Sequence, residues 1–162
     1  MGFALSQSAL AYEEADVQEL LMARSCQRCD LSFADLTKAD LAFSNLTAAN
    51  LSGATLRYTN FSGANLSNTN LRWADLSYAN LSEADLSGAD LGVADIEHAD
   101  LRGAILSGAN LNRVDLAGMN LSGINFIGAM LTGSILSNTN LRDADLSGAN
   151  LTGSTLRGSD LR

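Results

Sequence analysis

The chain has 162 residues, 46% of them apolar, with a formal net charge of −8 and a pI near 4.4. That composition suffices for one domain with a real core, and its acidity sets it against direct contact with nucleic acid or an anionic membrane, both of which would repel it. No apolar run approaches a bilayer-spanning length, proline is absent and there is one histidine, so neither membrane insertion nor histidine-based hydrolysis is expected.

In chain order, residues 3–11, FALSQSALA, read either as the tail of a secretory signal, with Ala9 and Ala11 as a small-x-small cleavage site, or as an ordinary N-terminal segment. Residues 1–15 are assigned to this flexible or signal-remnant piece. Asp16 and Glu19 then have capping-box spacing, and Val17, Leu20 and Leu21 fall on one helical face. The spacing predicts a short helix from about Val17 to Ala23 lying over the end of whatever follows. Residues 16–28 form this cap and a junction, CQRC. There Cys26 takes a Leu position of the downstream register and Cys29 an Ala position, so both point inward across one turn, within disulfide reach. A structural disulfide and two buried thiols are both open, whereas zinc would lack two ligands.

From residue 29 to 162 the chain repeats in fives. Every fifth residue from Leu31 to Leu161 is Leu, except Phe61, Ile96 and Phe126. Two residues earlier stands a small residue, usually Ala, and between them Asp or Asn, except at Thr55, Ile105, Met130, Ile135 and Thr155. A small, polar, large triplet has the period of two of an extended segment with its first and third side chains inward. The two remaining residues, often ending in Gly, must turn a corner. Gly corners are expected to be type II, and those carrying Tyr58, Trp73 or Tyr78 to be of another type. Stacked coils would then pair as parallel strands. Val114, Met119 and Ile124 replace the small inward residue in three successive units, so a bulge is expected there.

These units resemble the pentapeptide-repeat family, whose loose consensus is A(D/N)LXX. The resemblance implies an all-β solenoid, a right-handed quadrilateral parallel β-helix of about 7 coils of 20 residues with a short N-terminal α-helical cap, a rod about 32 Å long. The CxxCDLS junction after a double-leucine helix is also similar to exported members from cyanobacteria and the thylakoid lumen, which implies periplasm or lumen ahead of cytoplasm.

Exposed aromatics favour protein interfaces, and Tyr58, Trp73 and Tyr78, with His98 in the tyrosine column, form the candidate interaction surface. Ile105, Ile127, Met130 and Ile135 form a candidate lateral apolar patch. The stacked Asp75, Asp95 and Asp115 near His98 lack a cage, so no metal or other cofactor is expected. A filled rod offers no catalytic cleft, and no catalytic residue is assigned. The expected function is a non-enzymatic rigid scaffold for an unidentified protein partner. Weak end-to-end homodimerisation through residues 141–162, with Asp160 meeting an Arg of the second copy, is a further expectation. The alternative implied by the resemblance is a DNA-mimicking topoisomerase (gyrase)-binding protein. Against it, residues 30–162 hold 14 acidic and 8 basic side chains, where a duplex of equal length carries about 19 charges.

Overall fold

A computed structural model describes residues 14–162, and the signal-like segment lies outside the described residues. Central residues of the triplets pair in parallel with the residue twenty further on, from Ser25↔Asn45 to Asn140↔Asp160, except Asp95 and Asp100. Twenty residues therefore make one turn of a right-handed quadrilateral β-helix with four faces. The first face carries Ser25, Asn45 and their successors, the second Asp30 and Asn50, the third Asp35 and Thr55, the fourth Asp40 and Asn60. The ladder already starts at Ser25, so the CQRC junction belongs to the first coil and not to the cap.

Three hydrogen bonds recur between paired coils, one of them from the second corner residue to the next corner, as Tyr78 N–H donates to the Glu97 carbonyl at 2.9 Å. The Leu N–H donates to the Asp or Asn carbonyl of the next coil, as from Leu76 to Asp95 at 2.7 Å, and that Asp N–H donates back, to Ala74, at 3.0 Å. The Leu column fills the axis, with Phe61 and Phe126 fully buried in it, and the Ala column closes the walls. Burying one Leu contributes about 2 kcal/mol, so each five-residue unit brings its own stabilisation.

The corners are uniform. Every second corner residue has positive φ, whether it is Gly53 at 65°, Tyr58 at 58°, Trp73 at 57° or Tyr78 at 60°. The residue after each corner donates to the Leu three before it, as Ala74 does to Leu71 at 3.1 Å. Positive φ at the third turn position alone is the type II pattern, so the expectation of a different turn at the aromatics is corrected. A side chain there costs about 1 kcal/mol, less than the unit gains by burying its Leu. The Asp or Asn before each corner also has a local task. Its Oδ1 accepts the N–H two residues on, as Asp30 does from Ser32 at 3.1 Å and Asn60 from Ser62 at 3.1 Å. This Asx turn pre-bends the chain, which explains why the outward position is so rarely anything else.

Helix α1 spans Glu14–Ala23, beginning before the expected start. Asp16 therefore lies within the first turn and is not the N-cap of a capping box with Glu19. Its carboxylate instead accepts the N–H of Asp30 at 2.9 Å, satisfying a donor that has no coil beneath it. Leu20 is buried and Val17 packs against the core, but Leu21 is exposed, so the buried stripe is narrower than expected. Arg24 ends the helix with φ 51° and ties the cap down, donating to the Ala42 carbonyl at 2.8 Å and pairing with Asp40 at 2.9 Å. Cys26 and Cys29 are joined by a disulfide with Cα atoms 5.5 Å apart, Cys26 buried in the Leu column.

One seam of the rod is open. Between residues 94–103 and 114–123, on the third and fourth faces, the inter-coil ladder is missing. Ile96, His98, Leu101 and Gly103 do not donate to the coil above, and Asp115 and Asn120 do not donate back. The corner turns on both sides stay closed, with Ala99 to Ile96 at 3.0 Å and Met119 to Leu116 at 3.2 Å. The seam opens where Val114 and Met119 stand over Ala94 and Ala99. The expected bulge is thus one-sided, because the same two units pair normally with the coil beyond them, Ile135 donating to Val114 at 3.0 Å.

Candidate functional site

The third-to-fourth-face corner carries Tyr58, Tyr78 and His98 in successive coils. Their identical positive φ aims all three rings the same way, and they stack: Tyr58 on Tyr78 with centroids 5.0 Å apart, Tyr78 on His98 at 4.8 Å. Arg57 lies against both tyrosine rings, 5.7 and 5.8 Å from the centroids, and pairs with Asp75 at 3.2 Å. On the neighbouring corner Arg72 lies 4.8 Å from the Trp73 ring and pairs with Asp90 at 3.5 Å. Trp73 is 63% exposed and the tyrosines somewhat less, so this is a presented surface. The ion pairs hold the guanidinium groups beside the rings, which widens an amphipathic face at little entropic cost. Hydrogen bonds from Ser77 and Arg57, with the Arg57 charge, outweigh burial and keep the Asp75 carboxyl below its ordinary range, so the pair is charged at neutral pH.

Phe33 and Phe43 belong to a different arrangement. Each ring leans onto the corner of the next coil, where a side chain on Gly53 or Gly63 would come within 2.5 or 2.6 Å of it. Phe33 and Phe43 thus lie under glycines, whereas Tyr58 and Tyr78 each lie under a stacking ring. His98 also lies under a glycine, but a Cβ on Gly118 would meet nothing within 4 Å, because the open seam lies between them. The imidazole Nε2 lies 3.4 Å from the Glu97 carboxylate.

The seam widens outward into a cleft of about 720 Å³ at the end of the aromatic column. Ala94, Ile96 and Met119 form its floor; Asp95, Glu97 and Asp115 stand on its lips. Asp95 and Asp115 are exposed where most mid-rod equivalents, such as Asp75 and Asn60, are half-buried. The sequence signal for this cleft is the bulk of Val114 and Met119.

Other expected groupings do not assemble. Ile105 lies on the first face, Ile127 on the corner after it, Met130 on the second face and Ile135 on the third, so these exposed residues wrap round the rod and make no patch. Asp160 is engaged by its own chain, with Arg142 at 2.6 Å and Arg162 at 2.7 Å. Among the described residues the metal-like cluster is Asp16 with Cys26 and Cys29, whose ligand atoms lie within 4.8 Å of one another. Its sulfurs are bonded to each other and offer no thiolate. No described helix is long and apolar enough to cross a membrane.

Several solved structures are similar. HetL, a pentapeptide repeat protein involved in heterocyst differentiation regulation from the cyanobacterium Nostoc sp. strain PCC 7120, is 35% identical over 85% of this chain and 70% of its own, with a TM-score of 0.53. Rfr23 from the cyanobacterium Cyanothece 51142 is 26% identical over 91% of this chain and 94% of its own, with a TM-score of 0.50. QnrB1, a plasmid-mediated fluoroquinolone resistance protein, is 22% identical over 85% and 80%, with a TM-score of 0.45. No match was found among curated proteins. The family model for pentapeptide repeats matches residues 25–63, 56–92, 94–126, 109–148 and 124–162. With coils of four five-residue units beginning at Ser25, where that match also begins, the chain belongs to the pentapeptide repeat family.

Proposed function

We propose that the protein is a non-catalytic, rigid interaction scaffold whose working surface is the corner built from Tyr58, Tyr78, His98 and Trp73. The observation that carries this reading is the exposed ring stack flanked by arginines held in place by Asp75 and Asp90. Aromatic and arginine side chains are the groups that concentrate binding energy at protein interfaces, and here they are pre-ordered by the coil spacing. The Cys26–Cys29 disulfide supports an exported location, periplasm or thylakoid lumen, because such bonds persist in oxidising compartments. Imitation of duplex DNA is the weaker reading, since Arg57, Arg72, Arg102 and Arg142 each neutralise an aspartate on the faces that would have to imitate phosphates.

The test is capture from the native compartment with the wild-type chain and with a Tyr58→Ser, Trp73→Ser, Tyr78→Ser variant. A protein retained by the first and lost by the second is expected. Retention unchanged by the three substitutions, while Ile105→Ser with Ile135→Ser abolishes it, would overturn the assignment.

A further inference from the structure

We propose that the open seam is a docking groove for an extended, positively charged polypeptide segment, added as a guest strand to the unpaired edge at residues 94–98 and 115–118. This deepens the scaffold reading and rests on it. Edges of a β-structure whose N–H and C=O groups are unpaired accept another strand, the way many domains bind extended peptides. Here the lower lip offers the N–H groups of Ile96 and His98 and the carbonyl of Ala94. The upper lip offers the Asp115 N–H and the Asp115 and Ala117 carbonyls. One face is a three-residue triplet, so it matches a guest of about three residues, roughly 10 Å of extended chain.

Charge selects the guest. Asp95, Glu97 and Asp115 ring the cleft against Arg113 at one end, in a chain of net charge −8. Alternate side chains of a strand point the same way, so a guest with lysine or arginine at every second position meets the lip carboxylates while its intervening side chains reach the apolar floor of Ala94, Ile96 and Met119. Ala94 carries 6% exposure where Ala74 has 0%, which marks the part of the wall that the guest would cover.

The full isotope-labelled chain is titrated with acetyl-Thr-Lys-Val-Lys-Thr-amide and, separately, with acetyl-Thr-Glu-Val-Glu-Thr-amide, each to about 1 mM. The lysine peptide is expected to move the amide resonances of Ile96, His98 and Asp115 and to slow their hydrogen exchange; the glutamate peptide is not. Asp95→Asn with Asp115→Asn should weaken binding at least about fivefold. Val114→Ala with Met119→Ala, which lets the seam close, should abolish binding and slow the same amides without peptide. Exchange at those amides in the free wild type as slow as at Leu76 and Leu81 overturns the proposal. So do equal responses to both peptides, or none to either. The Tyr58, Trp73, Tyr78 serine variant should keep the peptide response, so a failed capture and a failed groove are separate results.

Discussion

Two seams on the same two faces, forty residues apart, differ in one structural respect. Between residues 54–63 and 74–83 the ladder is complete: Leu56 donates to Asp75 and Phe61 to Asn80, both at 2.7 Å, and Asp75 and Asn80 donate back at 3.0 and 2.9 Å. Between residues 94–103 and 114–123 none of the equivalent bonds forms. Corner turns are alike in both, and the axial residues, Leu56 and Phe61 in one and Ile96 and Leu101 in the other, are all buried. Electrostatics does not separate them. Asp75 and Asp95 form a closed pair of like residues, and Asp100 under Asn120 has the chemistry of Asp40 under Asn60, which bond at 3.0 Å, yet it is open. The residue volumes change most at the wall of the upper coil, Ala74 and Ala79 in one seam, Val114 and Met119 in the other. Each turn is a local structure that survives alone, while contact between coils depends on whether the wall residue fits beneath the next coil.

The sharpest way to break that comparison is to move the bulk. Ala74→Val with Ala79→Met should open the closed seam, at a cost of about 1 to 3 kcal/mol. The amides of Leu56, Tyr58, Phe61 and Gly63 should then exchange as fast as those of Ile96, His98, Leu101 and Gly103, read by hydrogen exchange, with global stability read from urea unfolding. An unchanged ladder with only a uniform loss of stability would show that wall volume does not govern the seam.

Much of this is legible in the sequence. The five-residue register never slips, so which residues are axial, which line the wall and which face out follows from counting, and burial of Leu31, Ala34 and Phe61 agrees. The cap was readable in Leu20 but not in its first turn, because Asp16 serves the backbone of the first coil, a contact fourteen residues away that local spacing does not reveal. Intrinsic preference alone disfavours positive φ at Tyr58 and Trp73, yet both adopt it. Tyr58 N–H must meet the Ser77 carbonyl, at 3.2 Å, and only the common turn places it there. For the seam, residue volume located the disturbance at residues 114 and 119, but not on which side the coil would part, since that depends on how both neighbouring coils accommodate them. The ring stack and its Arg57 followed from the twenty-residue column, whereas the Arg72–Trp73 contact depends on side-chain rotation that no spacing encodes.

A smaller effect probes the strain common to closed and open coils. Lys38 adopts φ 62° in an exposed corner. Lys38→Gly relieves a left-handed conformation worth about 1 kcal/mol but frees the unfolded chain, so a net gain of a few tenths of a kcal/mol is expected in thermal melts. The reverse exchange at Gly88, Gly88→Lys, should destabilise by more, because a Cβ there comes 2.6 Å from the Asn68 amide oxygen. If the two substitutions have effects of the same sign, backbone strain is not what distinguishes glycine corners from the others.

The slightest effect concerns the last coil, whose Leu146, Leu151 and Leu156 are only half-buried. Its hold on the rod includes the Asp160 carboxylate, which receives Arg162 at 2.7 Å and Arg142 at 2.6 Å. Hydrogen bonding to Arg162, and then to Arg142, holds that carboxyl far below its ordinary value of 3.8. A carboxyl depressed in the folded state stabilises fully above its unfolded value, and that contribution is lost as pH falls through the folded one. The clamp is therefore intact at pH 5 and weakens progressively below 3.8. Because the group is open to solvent, the change should be local fraying and not global unfolding. Exchange at the Leu141 and Asp143 amides, which reach the Asp160 and Arg162 carbonyls at 2.8 and 3.1 Å, should rise relative to Leu76 as pH is lowered, after correction for intrinsic rates. Asp160→Asn should show the raised ratio already at neutral pH and remove most of the pH dependence. A ratio that stays constant down to pH 2 in the wild type would mean that the backbone ladder alone holds the end of the rod.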